Sequence, residues 1–320
     1  MKALLSVIAV AAILGFLVWQ RWEGTGASET AATLSESSIE LERPLVTLAP
    51  TASDAEKPAP LPGASAAPEP PAERPAASRL THADFSREAA GGDALDALRR
   101  ASSSLVASED SPERDRYLAD VLALSGKLLM SRQASAEVSF DHVIASGDTL
   151  DKLTRTWKKE RGLDVTPEFL LRVNGISDPR RLVLGQRIKV VTAVPALHVD
   201  KRRHRLDYLL NGAIVREYRV GLGKNDKTPE GTFSIASRLD SPVWFNAGES
   251  IPYGDPRNIL GTRWLGFENR EDMVGFGIHG TNDETTIGLD LSNGCVRMRN
   301  RDVEELFDLV PIGTRITIVR

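Results

Sequence analysis

The chain contains a single cysteine, Cys295, which follows His279 by sixteen positions in a glycine-rich stretch. Gly280 comes directly after the histidine and Gly294 directly before the cysteine, so both side chains stand beside residues that permit tight turns. A thiol and an imidazole in such turns indicate nucleophilic catalysis, in which the imidazole takes the thiol proton and the thiolate attacks a carbonyl. A lone cysteine is also commonly a small buried hydrophobe. This spacing alone leaves both interpretations open.

The residues around the pair favour catalysis. His279 begins the sequence His-Gly-Thr, and Ser292 begins Ser-Asn-Gly-Cys-Val-Arg, which ends at Arg297. Matching segments lie upstream at residues 220–223, 228–233 and 261–266. Together these motifs resemble the L,D-transpeptidase family, with its YkuD-type catalytic domain. The resemblance covers residues 195–320 and implies a mainly-β, β-sandwich-like domain with one short helix.

The resemblance implies a role for each motif residue. Cys295 is expected to be the nucleophile and His279 the base. The backbone carbonyl of Gly280 is expected to hold the second ring nitrogen of the histidine. The amides of Gly294 and Cys295 are expected to donate hydrogen bonds to the oxyanion that forms on the attacked carbonyl.

The charge around the thiol matters, because a free thiol has a pKa of about 8.5 and positive charge is needed to lower it. His279 as an imidazolium is expected to supply that charge, with Arg297 adding a second cation. Asn293 departs from the resembled family, in which many members carry His or Lys at this position. Ser292 either hydrogen-bonds inside the site or caps the turn. No acidic third member is evident, and Asp290 is the nearest alternative.

The implied substrate is a peptidoglycan stem peptide. By resemblance, the thiol attacks the bond after a third-position diamino acid such as meso-diaminopimelate, D-alanine leaves, and a thioester forms. A side-chain amine of another stem then takes the acyl group. The acceptor could instead be a protein, or water, which would make the chain an L,D-carboxypeptidase. A non-catalytic wall-binding protein is the alternative from a different class.

Residues 139–192 carry a second set of motifs. Ser-Gly-Asp-Thr-Leu begins at Ser146, Asn-Gly-Ile at Asn174 and Leu-Gly-Gln-Arg-Ile at Leu184. Apolar spacing predicts a β-α-α-β order, and the whole resembles a LysM domain, which binds glycans containing N-acetylglucosamine. That resemblance implies glycan contacts from two loops, formed by Gly147, Asp148, Thr149 and Leu150 and by Ile176, Ser177 and Asp178. The alternative is that Gly147 and Asp148 only form the turn and the helix cap.

The N-terminus predicts a membrane anchor. Lys2 precedes an apolar run from Ala3 to Trp19, which as a helix would span about 25 Å, near the lower limit for a bilayer. We therefore expect residues 1–22 to be an uncleaved inner-membrane anchor, with a cleaved signal peptide as the alternative. The rest of the chain would then lie in the cell envelope, on the periplasmic side.

Two further segments precede the LysM-like region. Half of the chain's 18 prolines lie between Pro44 and Pro75, so residues 23–80 are expected to be a disordered linker. Residues 81–136 show helical spacing of apolar residues and predict a two-helix hairpin. Ser111 is its expected internal N-cap, with proline following. We expect a packing spacer there, with a protein-docking module as the alternative.

The composition excludes several further classes of function. A net charge of −4 over 320 residues lacks the basic excess of a nucleic-acid-binding protein. A single cysteine allows no intrachain disulfide. The other histidines show no metal-ligand spacing, so neither a metal nor a cofactor is expected.

Overall fold

The computed structural model describes residues 80–133, 135–246, 248–271 and 273–320. The expected anchor at residues 1–22 lies outside this part of the chain, as does the expected linker at 23–80 except for Leu80. None of the helices in the described ranges combines the length and the apolar character needed to cross a membrane.

A helical block opens the described chain. It consists of α1 (His82–Ala90), α2 (Ala94–Val106) and α3 (Pro112–Leu129). The predicted two-helix hairpin is wrong, because α1 is a third helix. That helix buries only Phe85, so it lacks the apolar periodicity by which α2 and α3 are recognised. The predicted cap at Ser111 is confirmed, since its side chain accepts a hydrogen bond from the Arg114 amide.

The next segment has the predicted β-α-α-β order. Its elements are β1 (Ser139–Val143), α4 (Leu150–Arg161), α5 (Pro167–Asn174), a short 3₁₀ helix (Pro179–Arg181) and β2 (Arg187–Val191), with β1 and β2 antiparallel. Thr149 and Thr166 cap the two α-helices at their first turns, and Gly162 and Gly175 end them in the left-handed conformation. These local signals explain why the sequence predicts this segment well.

The remaining chain is mainly β, as predicted. Its elements are β3 (Pro195–Asp200), β4 (Arg205–Leu210), β5 (Ala213–Arg219), β6 (Leu222–Gly223), β7 (Gly231–Asp240), β8 (Trp244–Asn246), β9 (Glu249–Ile251), β10 (Arg263–Phe267), β11 (Gly277–His279), β12 (Asp290–Ser292), β13 (Val296–Arg297), α6 (Asn300–Leu309) and β14 (Arg315–Val319). Eight strands form one sheet in the order β13-β11-β10-β7-β14-β3-β4-β5, while β8 pairs with β9 and β6 with β12. In the sheet, β13 is parallel to β11 and β14 to β3.

The turn between β4 and β5 is a two-residue hairpin turn of the kind that an Asn-Gly pair favours. Asn211 and Gly212 both have positive φ angles, 48° and 82°. A turn of this kind needs positive φ at both central positions, and asparagine followed by glycine tolerates it best. The hairpin fixes the register of β5, the edge strand of the sheet.

The helical block packs on that edge strand. Ser102 Oγ accepts a hydrogen bond of 2.8 Å from the Ile214 amide, and Arg114 forms a two-pronged ion pair with Glu217. Buried side chains of the block and of the sheet share one hydrophobic core, including Leu98, Leu105, Val121, Leu206 and Ile214. The block is therefore a layer of the same hydrophobic core as the sheet.

Candidate active site

The sheet register brings the catalytic candidates together. His279 ends β11, opposite Trp264 of β10 on one side and opposite Arg297 of β13 on the other. Cys295 directly precedes β13. Because β11 and β13 are adjacent and parallel, Cys295 lies at the start of the strand beside His279, two positions before Arg297, the residue that pairs with the histidine.

Both residues line one cleft of about 450 Å³. Its polar end contains Cys295, His279, Ser292, Asn293 and Arg297. The rest of its lining is mostly apolar and includes Trp244 and Phe245 of the β8–β9 hairpin together with Trp264 and Phe276. Such a combination of an apolar groove and a few convergent polar groups is typical of a ligand site.

The His279 ring is fixed in one orientation. Its side chain is buried, and Nδ1 lies 2.6 Å from the carbonyl oxygen of Gly280. A carbonyl can only accept, so in the neutral ring Nδ1 carries the proton and Nε2 keeps the free lone pair. This is the contact that the resemblance implies for Gly280. It leaves Nε2 as the nitrogen able to act as a base.

Trp264 supports the ring from one side. The indole stacks on the imidazole, with centroids 5.9 Å apart and planes at 21°. Gly266 and Gly277, paired across β10 and β11, make room for it. A Cβ at Gly266 would lie 2.6 Å from the indole nitrogen, and one at Gly277 would lie 2.9 Å from the indole ring. The two glycines are therefore required for this stacking.

Burial controls the protonation of His279. Burial, with a smaller contribution from the charge of Arg297, lowers the pKa of the imidazole to about 4. The carbonyls of Gly280 and Leu260 favour the protonated ring without offsetting the effect of burial. The ring is therefore neutral at pH 7 and able to accept a proton.

Cys295 also favours its neutral form. Its Sγ lies 3.7 Å from the Gly275 carbonyl oxygen. Burial raises the pKa of the thiol, while a backbone hydrogen bond from Gly277 and the charge of Arg297 act in the opposite direction without overcoming it. The expectation that an imidazolium lowers the pKa of Cys295 is wrong for the resting site. The histidine is too deeply buried to be a cation.

Ser292 organises the turn before the cysteine. Its Oγ donates to the Cys295 carbonyl oxygen at 2.7 Å and accepts from the Gly294 amide at 3.0 Å. Of the two interpretations, the structure supports the turn cap. It also corrects the expected oxyanion site, because the Gly294 amide is already engaged. Within the described residues, only the Cys295 amide of that pair lacks an acceptor.

Gly294 itself cannot carry a side chain. Its φ angle is 130°, a conformation that L-residues rarely adopt. A Cβ there would lie 2.4 Å from the Phe276 ring and 3.0 Å from the Lys227 carbonyl oxygen. The glycine before the cysteine is thus explained by packing as well as by backbone geometry.

Asp290 and Arg297, two charged residues near Cys295 in sequence, differ in their partners. Asp290, the expected alternative third member, pairs instead with His204 at 3.0 Å. Arg297 exchanges two backbone hydrogen bonds with Gly221, of 2.9 and 2.8 Å, and its Nε is buried without a partner. Within the described residues, no group of three or more His, Cys, Asp and Glu side chains is arranged to hold a metal ion.

Asn300 is a site residue that the sequence did not reveal. Its Oδ1 accepts hydrogen bonds of 3.2 Å from the amides of Thr262 and Thr281. A Cβ at either Gly261 or Gly280 would lie 2.2 Å from that oxygen. The side chain thus ties the start of β10 to the turn after His279. Gly261 and Gly280, both in the matched motifs, were the only features of the sequence that pointed to this close contact with Asn300.

The first LysM loop is largely occupied by structural contacts. Thr149 caps α4, and Asp148 accepts a hydrogen bond of 2.9 Å from the Ala145 amide. Leu150 is only 3% exposed and belongs to the LysM core. Its expected contact with glycan is therefore corrected, because its side chain cannot reach a sugar. Gly147 is exposed in the turn with a φ of 80°.

The second loop is more open. Ser177 is exposed, whereas Ile176 packs partly against the LysM core. Asp178 caps the short 3₁₀ helix by accepting a hydrogen bond of 2.9 Å from the Arg180 amide. Of the seven expected residues, Gly147 and Ser177 thus combine exposure with freedom from a capping or core role.

Comparisons with known proteins agree with both sets of motifs. The model of the L,D-transpeptidase catalytic domain (YkuD) matches residues 195–318, and the LysM domain model matches residues 142–191. The chain is 41% identical over 126 residues to "Putative L,D-transpeptidase YqjB" of Bacillus subtilis, covering 39% of this chain and 70% of that protein. It is 32% identical over 185 residues to "Putative L,D-transpeptidase YkuD" of Bacillus subtilis, covering 55% and 97%. The chain therefore belongs to the L,D-transpeptidase family, with a LysM domain ahead of its YkuD-type catalytic domain.

Proposed function

We propose that this protein is a peptidoglycan L,D-transpeptidase that works through a thioester on Cys295. The observation that carries the proposal is the shared cleft of Cys295, His279 and Arg297, in which the Gly280 carbonyl leaves Nε2 of the histidine free to take a proton. A neutral thiol beside a neutral imidazole can begin the reaction without a preformed ion pair.

The chemistry follows from these protonation states. Sγ of Cys295 attacks the carbonyl of the third stem residue while its proton passes to Nε2 of His279. The Cys295 amide donates to the oxyanion, a contact worth about 3 kcal/mol. The imidazolium is a strong acid because its pKa is about 4, and it protonates the amine of the departing D-alanine. The bond to D-alanine breaks and the thioester remains.

The acyl group then passes to an acceptor. The amine of a second stem loses its proton to Nε2, attacks the thioester carbonyl and releases Cys295 as a thiol. The product is a cross-link between the third residues of two stems. A protein amine or water would use the same residues, and water would make the reaction a carboxypeptidase reaction.

The other segments of the chain would hold the catalytic domain close to the cell wall. We propose that the LysM domain, at residues 139–192, binds glycan strands and that the catalytic domain spans 195–320. Residues 1–22 would anchor the chain in the inner membrane, with 23–80 as linker and 81–136 as the helical block. This arrangement would place the enzyme on the periplasmic side of the cell envelope.

The test uses a soluble tetrapeptide stem as donor. The wild-type protein should release D-alanine and join two stems, whereas Cys295→Ser should release none, because a hydroxyl is far less acidic than a thiol and His279 cannot activate it comparably. Mass analysis of the products separates cross-linked dimer from tripeptide, and so distinguishes transpeptidase from carboxypeptidase. Release of D-alanine by Cys295→Ser at the wild-type rate would refute the proposal.

Wall binding is tested on the full chain. Ser177→Tyr places a bulky ring in the exposed second loop and should weaken binding to insoluble peptidoglycan about tenfold or more, which corresponds to about 1.4 kcal/mol. Lys159→Tyr, on the exposed end of α4, is the matched control and should bind normally. Equal sedimentation of both variants with peptidoglycan would show that the LysM loops do not bind it.

A further inference from the structure

A buried lysine outside the catalytic cleft makes ionic contacts that the proposed mechanism does not use. Lys201 begins the turn between β3 and β4, and its side chain is only 8% exposed. Its Nζ contacts a carboxylate oxygen of Asp226 and lies 3.0 Å from Oε1 of Glu230. Burial lowers the pKa of this ammonium, but the two carboxylates outweigh burial and raise it. Lys201 is therefore a charged group that binds two points of the segment between β6 and β7.

That segment has an unfavourable backbone conformation. Asn225 and Asp226 are consecutive and have φ angles of 53° and 59°, in the left-handed region that L-residues rarely adopt. Asparagine and aspartate tolerate this region better than most other residues. Such a conformation persists where surrounding contacts hold it in place. Ion pairs do so here, since Asp226 contacts Lys201 and lies 3.4 Å from the exposed Arg320.

The same segment packs behind the nucleophile turn. Gly223, the last residue of β6, is paired with Ser292 of β12, and its amide donates to Thr228 Oγ1 at 2.8 Å. A Cβ at Gly223 would lie 2.8 Å from the Cα of Gly294, and one at Gly294 would lie 3.0 Å from the Lys227 carbonyl oxygen. The backbone that leads into the nucleophile is therefore in direct contact with the β6–β7 segment.

We propose that Lys201 is a positioning residue, which holds the β6–β7 segment against the nucleophile turn and so keeps the Cys295 amide aimed at the oxyanion. This inference rests on the proposed function, in which that amide stabilises the oxyanion. Lys201 does not line the catalytic cleft and acts only through the backbone. An oxyanion donor works over a narrow range of distance and angle, so a small shift of the turn lowers the rate of the chemical step.

Removal of the lysine turns an attractive contact into a repulsive one. Without the ammonium, the carboxylates of Asp226 and Glu230, both of which contact Nζ, are left close together. Like charges repel, and both side chains are about half exposed, so water can solvate them as the segment moves outward. Lys201→Met keeps an apolar stem of similar length. It should therefore loosen the segment from the nucleophile turn without leaving a cavity.

The experiment measures two reactions of Cys295, of which only one needs the oxyanion donor. Release of D-alanine from the tetrapeptide stem passes through an oxyanion, whereas alkylation of the thiol by iodoacetamide does not. In Lys201→Met, kcat for D-alanine release should fall about tenfold or more with little change in KM, while the alkylation rate stays within about twofold of wild type. Lys201→Arg keeps a cation that can bridge two carboxylates and should retain part of the kcat that methionine loses. Lys224→Met, at an exposed lysine of the same segment, is the matched control and should behave as wild type.

Two further measurements separate positioning from a folding defect. Asp226→Asn removes one of the two carboxylates, and asparagine still tolerates a positive φ. This variant should therefore fold and lose kcat in the same direction but to a smaller extent. In ¹⁵N-labelled protein the amide resonance of Cys295 should shift in Lys201→Met and stay in place in Lys224→Met.

The outcomes are distinct. Normal kcat values in Lys201→Met and Asp226→Asn, beside a wild type that releases D-alanine, would overturn the inference and leave the proposed function standing. Equal losses of kcat and of alkylation rate in folded Lys201→Met would overturn it too, because the lysine would then act on the thiol rather than on the oxyanion donor. No release of D-alanine by the wild type would instead refute the proposed function, and with it the inference.

Discussion

At the scale of single residues, burial rather than charge decides the state of the catalytic pair. The sequence motif identified Cys295 and His279, and the resemblance supplied their roles. It did not predict that both would be neutral, because the depth of burial depends on residues far away in the chain, such as Trp264 stacked on the imidazole. Local motifs carry no information about that environment.

The thiol state can be measured by the pH dependence of alkylation with iodoacetamide. Cys295 should react with a midpoint above the free-thiol pKa of about 8.5, because its burial outweighs the nearby charge. Arg297→Gln should move the midpoint further upward, since it removes a charge that favours the thiolate. A wild-type midpoint well below 8.5 would indicate a resting thiolate and imidazolium pair.

His279 should also affect stability in a definite direction. Its pKa is about 4 in the folded chain and about 6.5 when exposed, so the folded state binds fewer protons. The contribution of the neutral His279 ring to the free energy of unfolding is fully present above pH 6.5 and is lost as the pH falls toward 4. Between pH 7 and 4.5, urea unfolding should show wild type losing about 2 kcal/mol more than His279→Gln, which does not titrate. Equal losses of unfolding free energy in the two proteins would contradict a buried, neutral His279 ring.

At the scale of secondary-structure elements, features set by neighbouring residues could be predicted from the sequence, whereas contacts between distant residues could not. The Asn211-Gly212 hairpin and the Ser111 cap follow from residues that are adjacent in sequence. Asn300 escaped prediction because it opens α6 yet binds amides 38 and 19 residues earlier. α1 escaped because it buries so little apolar surface.

Asn300 should act by positioning the turn after His279. Asn300→Asp keeps an acceptor oxygen for the Thr262 and Thr281 amides and should retain most activity. Asn300→Leu leaves both amides unsatisfied, at about 1–3 kcal/mol each, and should lower kcat at least about tenfold with little change in KM. The NMR signal of the His279 Nδ1 proton should broaden or shift in Asn300→Leu alone.

The control for this pair is Asn282→Leu, which removes a more exposed side chain that donates to the Pro256 carbonyl at 3.1 Å. It should resemble wild type in kcat. Equal kcat values for Asn300→Leu and Asn282→Leu would remove any positioning role for Asn300.

At the scale of the whole molecule, the helical block, the LysM domain and the sheet are linked by packing. Thr166 and Arg172 of the LysM domain contact Asp308 of α6. α3 is tied to β5 through the Arg114 and Glu217 pair. The spacing of apolar residues indicates that helices precede the catalytic domain. It does not indicate that these helices complete the core of that domain, because the ion pair of Arg114 and Glu217 joins residues 103 positions apart.

The link between the helical block and the sheet should be strong. Arg114→Ala leaves Glu217 buried without its partner and should destabilise the protein by about 3–5 kcal/mol. Arg87→Ala breaks an exposed pair with Asp84 and should leave the stability nearly unchanged. Thermal unfolding compares the two variants. A similarly small loss of stability in the two variants would mean that the helical block contributes little to the stability of the sheet.

The central claim is that Cys295 carries the acyl group, and intact-protein mass spectrometry tests it most directly. The wild-type protein is mixed with excess tetrapeptide stem whose side-chain amine is acetylated, so that the stem cannot act as acceptor, and the mixture is quenched in acid. We predict a covalent adduct with the mass of the donor less D-alanine, located on the peptide that contains Cys295 and absent from Cys295→Ser. Release of D-alanine by the wild type with no adduct on Cys295 at any time, including the first turnover, would contradict the account.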